Sequence, residues 1–242
     1  MQLDVRKSHT RGSMKNDWLD AKFSFSFGPY SHPERHHFGV LRALNEDLIQ
    51  PGTGFGMHPH RDLEILMIPL SAPIEHRDSL GNRVIVRPGE AQKMTAGSGI
   101  EHSQMNASMT TIDHHLQIWF TPARRGLPPG IVQGSFPASG RIARWQTIAA
   151  PEGRDGALPL NQDAFLRMAI LPAGTVLEIA GDAARSAYLH VVRGSIDIRA
   201  ASGQEARLDS GDALPLTEAS DLSLRGGTEE SEVLWFDLPK VA

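Results

Sequence analysis

One plan of strand, turn and strand occurs twice in this 242-residue chain, and each copy carries a glycine followed by an acid at its later turn. The first copy reads LEILMIPLSAPIEHRDSLGNRVIVRPGEAQKMTAG, in which apolar, β-branched runs are bounded by DSLGN and RPGE, both made of turn-forming residues. The second reads AYLHVVRGSIDIRAASGQEARLDSGDALPL, with turns at Ser202-Gly203 and Gly211-Asp212. Gly89-Glu90 and Gly211-Asp212 hold the same place in the two units, which points to an internal duplication of a small β-barrel. Few stretches sustain a helical period, and NQDAFLRMA fits strand or helix equally. The 16 prolines and 23 glycines are spread along the chain rather than massed in a linker, as many short strands joined by turns require. The expected fold is all-β, with a first barrel over residues 1–130 and a second over 131–242, past the RRGLPPG loop.

Composition removes several kinds of chemistry. There is no cysteine, so thiolate nucleophiles, disulfides and zinc-thiolate sites are excluded, and any metal must be held by histidine, carboxylate or amide groups. A formal net charge of −4 gives no basic footprint for direct contact with nucleic acid. The opening stretch MQLDVRKSHTRGSMKNDW lacks the apolar centre of a secretory signal, and no run approaches the length of a membrane span, so a cytoplasmic protein without a membrane partner is expected.

The histidines are concentrated. Ten of the 11 lie in the first 115 residues, and only His190 lies beyond. GTGFGMHPHRDLE places His58 and His60 two apart, on one face of a strand, with Glu64 at the same parity. Pro59 between them gives no ladder hydrogen bond, which suits an edge. The chain returns in GIEHSQMN with His102 and Gln104, again two apart. Two strands of a small barrel can bring these pairs around one divalent ion, although a lone HxH is more often a surface or hydrogen-bonded pair than a ligand set.

HPHRDLEI, HRDSLGN, PGEAQKMTAGSGIEHSQ and LQIWFTP, in that order and with FSFGPY and LRALNEDLI upstream, resemble the pirin family, most of all its bacterial branch with quercetin 2,3-dioxygenase activity. RDGALPLNQDAFLRMAIL and SEVLWFDLP resemble that branch's second half, so the resemblance spans nearly the whole chain. It implies two jelly-roll cupin barrels packed as a bicupin, with one divalent transition metal ion in the first, held by three histidines and a glutamate. The histidines carry over to His58, His60 and His102, and the glutamate position falls on Gln104, a departure from the family's pattern. An amide brings no charge and accepts no proton at neutral pH, so metal affinity and catalysis are both affected. The wider cupin pattern makes Glu64 the reserve carboxylate, beside the metal or bound to it, and pairs His102 with Asn106. Histidine-rich sites accept Fe, Ni, Cu, Mn or Zn, so the identity of the ion stays open. The second half has no HxH and is expected to hold no metal.

Two functions follow from the resemblance. The first is a metal-dependent dioxygenase acting on quercetin, another flavonol or a related aromatic or enolic small molecule, whose hydroxyl proton passes to a carboxylate before oxygen attacks. Gln104 cannot accept that proton; Glu64 or a hydroxide at the metal would replace it, or activity is weak. The second is a non-catalytic module that binds a small molecule or a protein partner in regulation. Elsewhere, His76 and Asp78 are read as stabilising a hairpin turn, and Trp119 as core; His36, His37, Phe23, Phe25 and Phe27 are candidates for a cavity mouth.

Overall fold

The computed structural model describes residues 3–240. It divides into two compact units: residues 11–136 with 158–162 form the first, and residues 3–10, 137–157 and 163–240 the second. Both are built of strands, as the turn-punctuated sequence requires, and no helix among the described residues is long and apolar enough to cross a membrane.

The first unit contains β1 (Gly12–Lys15), β2 (Leu19–Phe23), β3 (Leu41–Ile49), β4 (Gly54–His60), β5 (Glu64–Pro69), β6 (Ile74–Asp78), β7 (Arg83–Val86), β8 (Glu90–Thr95), β9 (Ile100–Asn106), β10 (Asp113–Phe120) and β11 (Gly130–Ser135). They form a seven-stranded sheet in the order β1-β2-β3-β10-β5-β8-β11 and a four-stranded sheet in the order β4-β9-β6-β7. Strands that read as unbroken apolar runs lie in the centre of the larger sheet, where every residue of β5 is buried. Pro59 lies on β4, an edge of the smaller sheet, where its missing N–H is tolerated.

In the second unit one sheet runs Gln146–Pro151, Phe165–Leu171, Ser231–Pro239, Arg185–Arg193, Ala213–Leu216, and the other Val176–Ile179, Leu222–Gly226, Ser195–Ala200, Glu205–Asp209. The ambiguous NQDAFLRMA segment resolves as strand, because Phe165–Leu171 pairs residue by residue with Ser231–Pro239. Tertiary pairing settles what local pattern left open. His190 is fully buried on Arg185–Arg193.

The two glycine-acid turns are built alike. Gly89 and Gly211 take φ values of 86° and 81°, and the following acid donates its backbone N–H to the residue three back, Glu90 to Arg87 O and Asp212 to Asp209 O, each at 2.9 Å. The acid side chain then accepts from the same residue's N–H: Arg87 N to Glu90 Oε2 at 2.7 Å, Asp209 N to Asp212 Oδ2 at 3.1 Å. The repeated motif is a repeated hydrogen-bonded device.

The units do not divide the chain at one point. A boundary at 130/131 falls at the start of β11, which pairs along its whole length with β8. At the other end, residues 3–10 leave the first unit: Arg6 and Ala213 exchange backbone hydrogen bonds at 2.7 and 2.9 Å, and Lys7 reaches Asp212 at 2.7 Å. Backbone pairing, rather than order along the sequence, decides membership.

Candidate metal centre

The site begins with an irregularity in the pairing of β4 with β9. Phe55 faces Gln104, and His58 faces His102, so three steps on β4 span two on β9. The extra residue is a β-bulge at Gly56-Met57, and it brings Phe55 and His58 onto the same face despite their opposite parity. Gly54 admits the close approach, since a Cβ there would sit 2.3 Å from the carbonyl oxygen of Gln104. GTGFGMHPH is thus the sequence of a bulged edge strand that aims two imidazoles inward.

His58, His60 and His102 converge, with one ring nitrogen of each lying within 4.8 Å of the others. His58 Nδ1 donates to Gly56 O at 2.7 Å, which leaves Nε2 as the free lone pair. The Nε2 atoms of His60 and His102 are buried and have no hydrogen-bond partner among the described residues. Burial first, and His58 second, pushes His60 down to about 4. Burial followed by the neighbouring imidazoles holds His102 far below the usual histidine range. Imidazole nitrogens gathered in this way fit a divalent transition metal ion, which demands deprotonated nitrogen donors.

Behind His102 lies a polar chain. His76 Nδ1 is 3.5 Å from His102 Nδ1, and His76 Nε2 is 3.0 Å from Asp78 Oδ2. Read as hydrogen bonds, this places a proton on His102 Nδ1 and one on His76 Nε2, and turns His102 Nε2 toward the other two rings. Asp78 also caps its hairpin by accepting from Leu80 N and Asn82 N at 3.0 and 3.1 Å. Burial raises the Asp78 carboxyl, but the Asn82 and His76 hydrogen bonds outweigh it and hold it below its usual range. His76 and Asp78 therefore do stabilise a turn, as the sequence suggested, and they also orient His102.

Gln104 lies beside His102 on β9, 2% exposed. Its Oε1 accepts from Gln117 Nε2 at 2.7 Å, its Nε2 points at Met67 Sδ at 2.9 Å, and Trp119 Nε1 donates in turn to Gln117 Oε1 at 3.0 Å. The amide is locked in a chain of neutral groups. Glu64 is elsewhere. It starts β5 in the larger sheet, fully buried, 3.1 Å from Lys93 Nζ, with Asn161 Nδ2 donating to it at 3.2 Å. The shared parity of His58, His60 and Glu64 holds only along one continuous strand. Here the chain turns at Asp62, φ 52°, and enters the other sheet, so Glu64 does not join the histidines. Asn106 likewise ties loops, donating to Ile49 O and Thr111 O at 3.0 and 2.8 Å.

A cavity of about 160 Å³ opens beside the histidines, with Phe23, Phe27, Phe55 and Trp119 among its apolar walls and Asn45, Asp47, Gln104 and Gln117 among its polar ones. Trp119, expected in the core, packs against core residues and also forms a cavity wall, its ring 5.0 Å from that of His60 and 4.9 Å from Phe27. Of the mouth candidates, Phe23 and Phe27 line the cavity, Phe25 is fully buried, and His36 and His37 are not among the lining residues. Sequence reasoning missed Asp47 and Asn45. Their signal was available in LRALNEDLI, where Leu41, Ala43, Asn45, Asp47 and Ile49 alternate on one strand face, two of them polar on a buried side.

Comparison with known proteins follows the same outline. Residues 4–120 match the family described as Pirin, and residues 147–238 the one described as Quercetinase C-terminal cupin domain. The chain is 39% identical to the quercetin 2,3-dioxygenase of Escherichia coli K12, covering 98% of its own length and 99% of the relative's. The crystal structure of the bacterial pirin YhhW from Escherichia coli in complex with nickel(II) is similar with a TM-score of 0.90 at 37% identity, covering 99% of this chain and 100% of that one. A quercetin 2,3-dioxygenase from Acinetobacter baumannii shares the fold, with a TM-score of 0.77 at 17% identity over 98% of this chain and 86% of that one.

Proposed function

Since the chain belongs to the pirin family of bicupins, we propose that its first unit is a metal-dependent dioxygenase site for a hydroxylated aromatic or enolic small molecule of the flavonol kind. The observation that carries this reading is the convergence of three imidazoles, two of them on the wall of an aromatic-lined cavity. His58, His60 and His102 would hold the ion, with the Gln104 amide oxygen as a neutral fourth donor; nickel bound to a bacterial pirin supports a divalent ion of this kind. When bound, such an ion acidifies a hydroxyl placed against it and favours the anionic substrate.

The chain's own residues do the rest. Phe27, Phe55 and Trp119 offer flat apolar faces to a ring and keep water out. A cavity of ~150 Å³ takes a benzene ring, so this cavity of 160 Å³ accepts one hydroxylated ring, and a flavonol would leave its remaining rings at the mouth. The Asp78–His76 chain fixes the ring plane of His102. The neutral amide of Gln104, its oxygen accepting one bond from Gln117, favours a second reading as well, in which the cavity binds the same class of molecule without turning it over.

Metal analysis and oxygen uptake on the purified full chain separate these. The enzyme reading expects about one ion per chain and metal-dependent oxygen uptake with quercetin, both lost in His58→Ala while the circular dichroism stays β-rich. Tight quercetin binding with no oxygen consumed under nickel, iron, copper or manganese would leave the binding module.

A further inference from the structure

We propose that Asp47 is the proton acceptor of this cavity, taking the hydroxyl proton of a bound phenol or enol in the role that position 104 cannot fill. The inference rests on the reading above that the cavity receives a hydroxylated ring.

Among the residues lining the cavity, Asp47 is the one carboxylate. Gln104 is an amide, and Glu64 is bound to Lys93 away from the cavity. Asp47 is 3% exposed; its Oδ1 is buried without a hydrogen-bond partner among the described residues, and its Oδ2 lies 3.5 Å from His115 Nε2. His115 stands directly opposite it on β10, fully buried, and its Nδ1 is 2.5 Å from Asp113 Oδ2, itself fully buried. His115 thus stands between two aspartates, one of which lines the cavity. A carboxylate on the cavity wall with one oxygen unpartnered and an imidazole at ion-pair distance from the other is an arrangement that proton abstraction can use.

The charges around Asp47 tune it for that work. Burial raises its pKa most, and His115 opposes this; Asp113 and Glu46 raise it further while Arg11 lowers it, and the result is about 6. Burial lowers His115, but the Asp113 hydrogen bond and both aspartates prevail and raise it above the ordinary histidine value. Glu46 is drawn away to Arg11 and His114, each at 2.8 Å. Asp47 is therefore ionised at neutral pH yet more basic than an exposed carboxylate, close to the optimum for a general base. In the step itself the substrate O–H bond breaks, its electron pair stays on the substrate oxygen, and the proton bonds to Asp47 Oδ1. One negative charge moves from the protein to the substrate, and nothing is oxidised or reduced.

The test uses 4-nitrocatechol, whose visible band shifts on ionisation, bound to the full chain with and without nickel. Wild type should ionise the bound probe with a midpoint at least one pH unit below that of Asp47→Asn. Turnover of whichever hydroxylated ring wild type consumes should fall about a hundredfold in kcat in that variant, with KM within threefold and partial recovery in Asp47→Glu. Asp47→Ser is the second variant should Asp47→Asn fail to fold, with the same shift expected. A folded variant that ionises the probe at the wild-type midpoint and keeps its turnover overturns the assignment. An Asp47-dependent shift in a wild type that consumes no oxygen leaves Asp47 as the proton acceptor and removes the dioxygenase reading. Failure of equilibrium dialysis to detect any bound probe removes both.

Discussion

Replacing Gln104 by glutamate should move the stability of the metal-free protein and its affinity for a divalent ion in opposite directions. The side chain is 2% exposed and nearly the same length, so the cavity wall keeps its shape. The bond from Gln117 survives, because a carboxylate accepts as well as an amide oxygen; the contact with Met67 Sδ loses its donor. A buried carboxylate satisfied by one N–H costs about 1–3 kcal/mol, which at about 2–4 °C per kcal/mol for a chain of this size lowers the metal-free melting temperature by roughly 2–12 °C. With an ion bound, each unit of its charge at ~4 Å and an effective dielectric of ~20 is worth about 4 kcal/mol. The burial cost is already present in the metal-free fold and does not subtract from affinity, so nickel should bind roughly a thousandfold more tightly or better. Thermal melting with and without excess nickel, together with a competition titration against a chromogenic chelator, reads both quantities. A Gln104→Glu variant that melts with wild type when metal-free and binds nickel no tighter would refute the charge argument, and with it the view that position 104 faces the ion.

Glu64→Gln should cost about 3–5 kcal/mol in stability by leaving Lys93 buried and unpaired, with nickel content unchanged, as measured by melting and metal analysis. Asp47 holds its proton more tightly folded than unfolded, so its contribution to stability is full below its unfolded value of 3.8 and is lost as pH rises through about 6. Asp47→Asn cannot suffer that loss, and urea melts should show it gaining on wild type between pH 4 and 7, by roughly 2–3 kcal/mol at the top of that range. His76→Phe, which keeps the bulk but breaks the chain from Asp78, should weaken nickel binding about ten- to a hundredfold while His58 and His60 remain in place.

Much of the fold could be read from alternation and turn chemistry, because both are local. The glycine-acid turns use the same backbone conformation and the same side-chain cap in both units, which is why the repeat shows at the level of two residues. The grouping of His58, His60 and His102 could be read for a similar reason, since each pair lies within one unbroken strand. Glu64 could not be placed this way, because the sheet change at Asp62 breaks the parity. Phe55 was hidden by the bulge, which reverses parity inside a strand. The pairing of Asp47 with His115 depends on register between β3 and β10, far apart in sequence, and register is a tertiary property.

The arm at residues 3–10 carries a consequence for how the molecule is made. Its anchor, Asp212, lies 205 residues beyond Lys7, so this segment is synthesised long before the residue it pairs with. Domains emerging in order from the ribosome fold as they appear, and the first unit cannot include this segment however early it forms. Closing so long a loop comes late and contributes to the slow end of folding. Until then the Gly211-Asp212 turn lacks the Lys7 cation and the Ser8 N–H that hold its carboxylate, and a nascent chain that stalls before Asp212 leaves Lys7 and Ser8 without that partner.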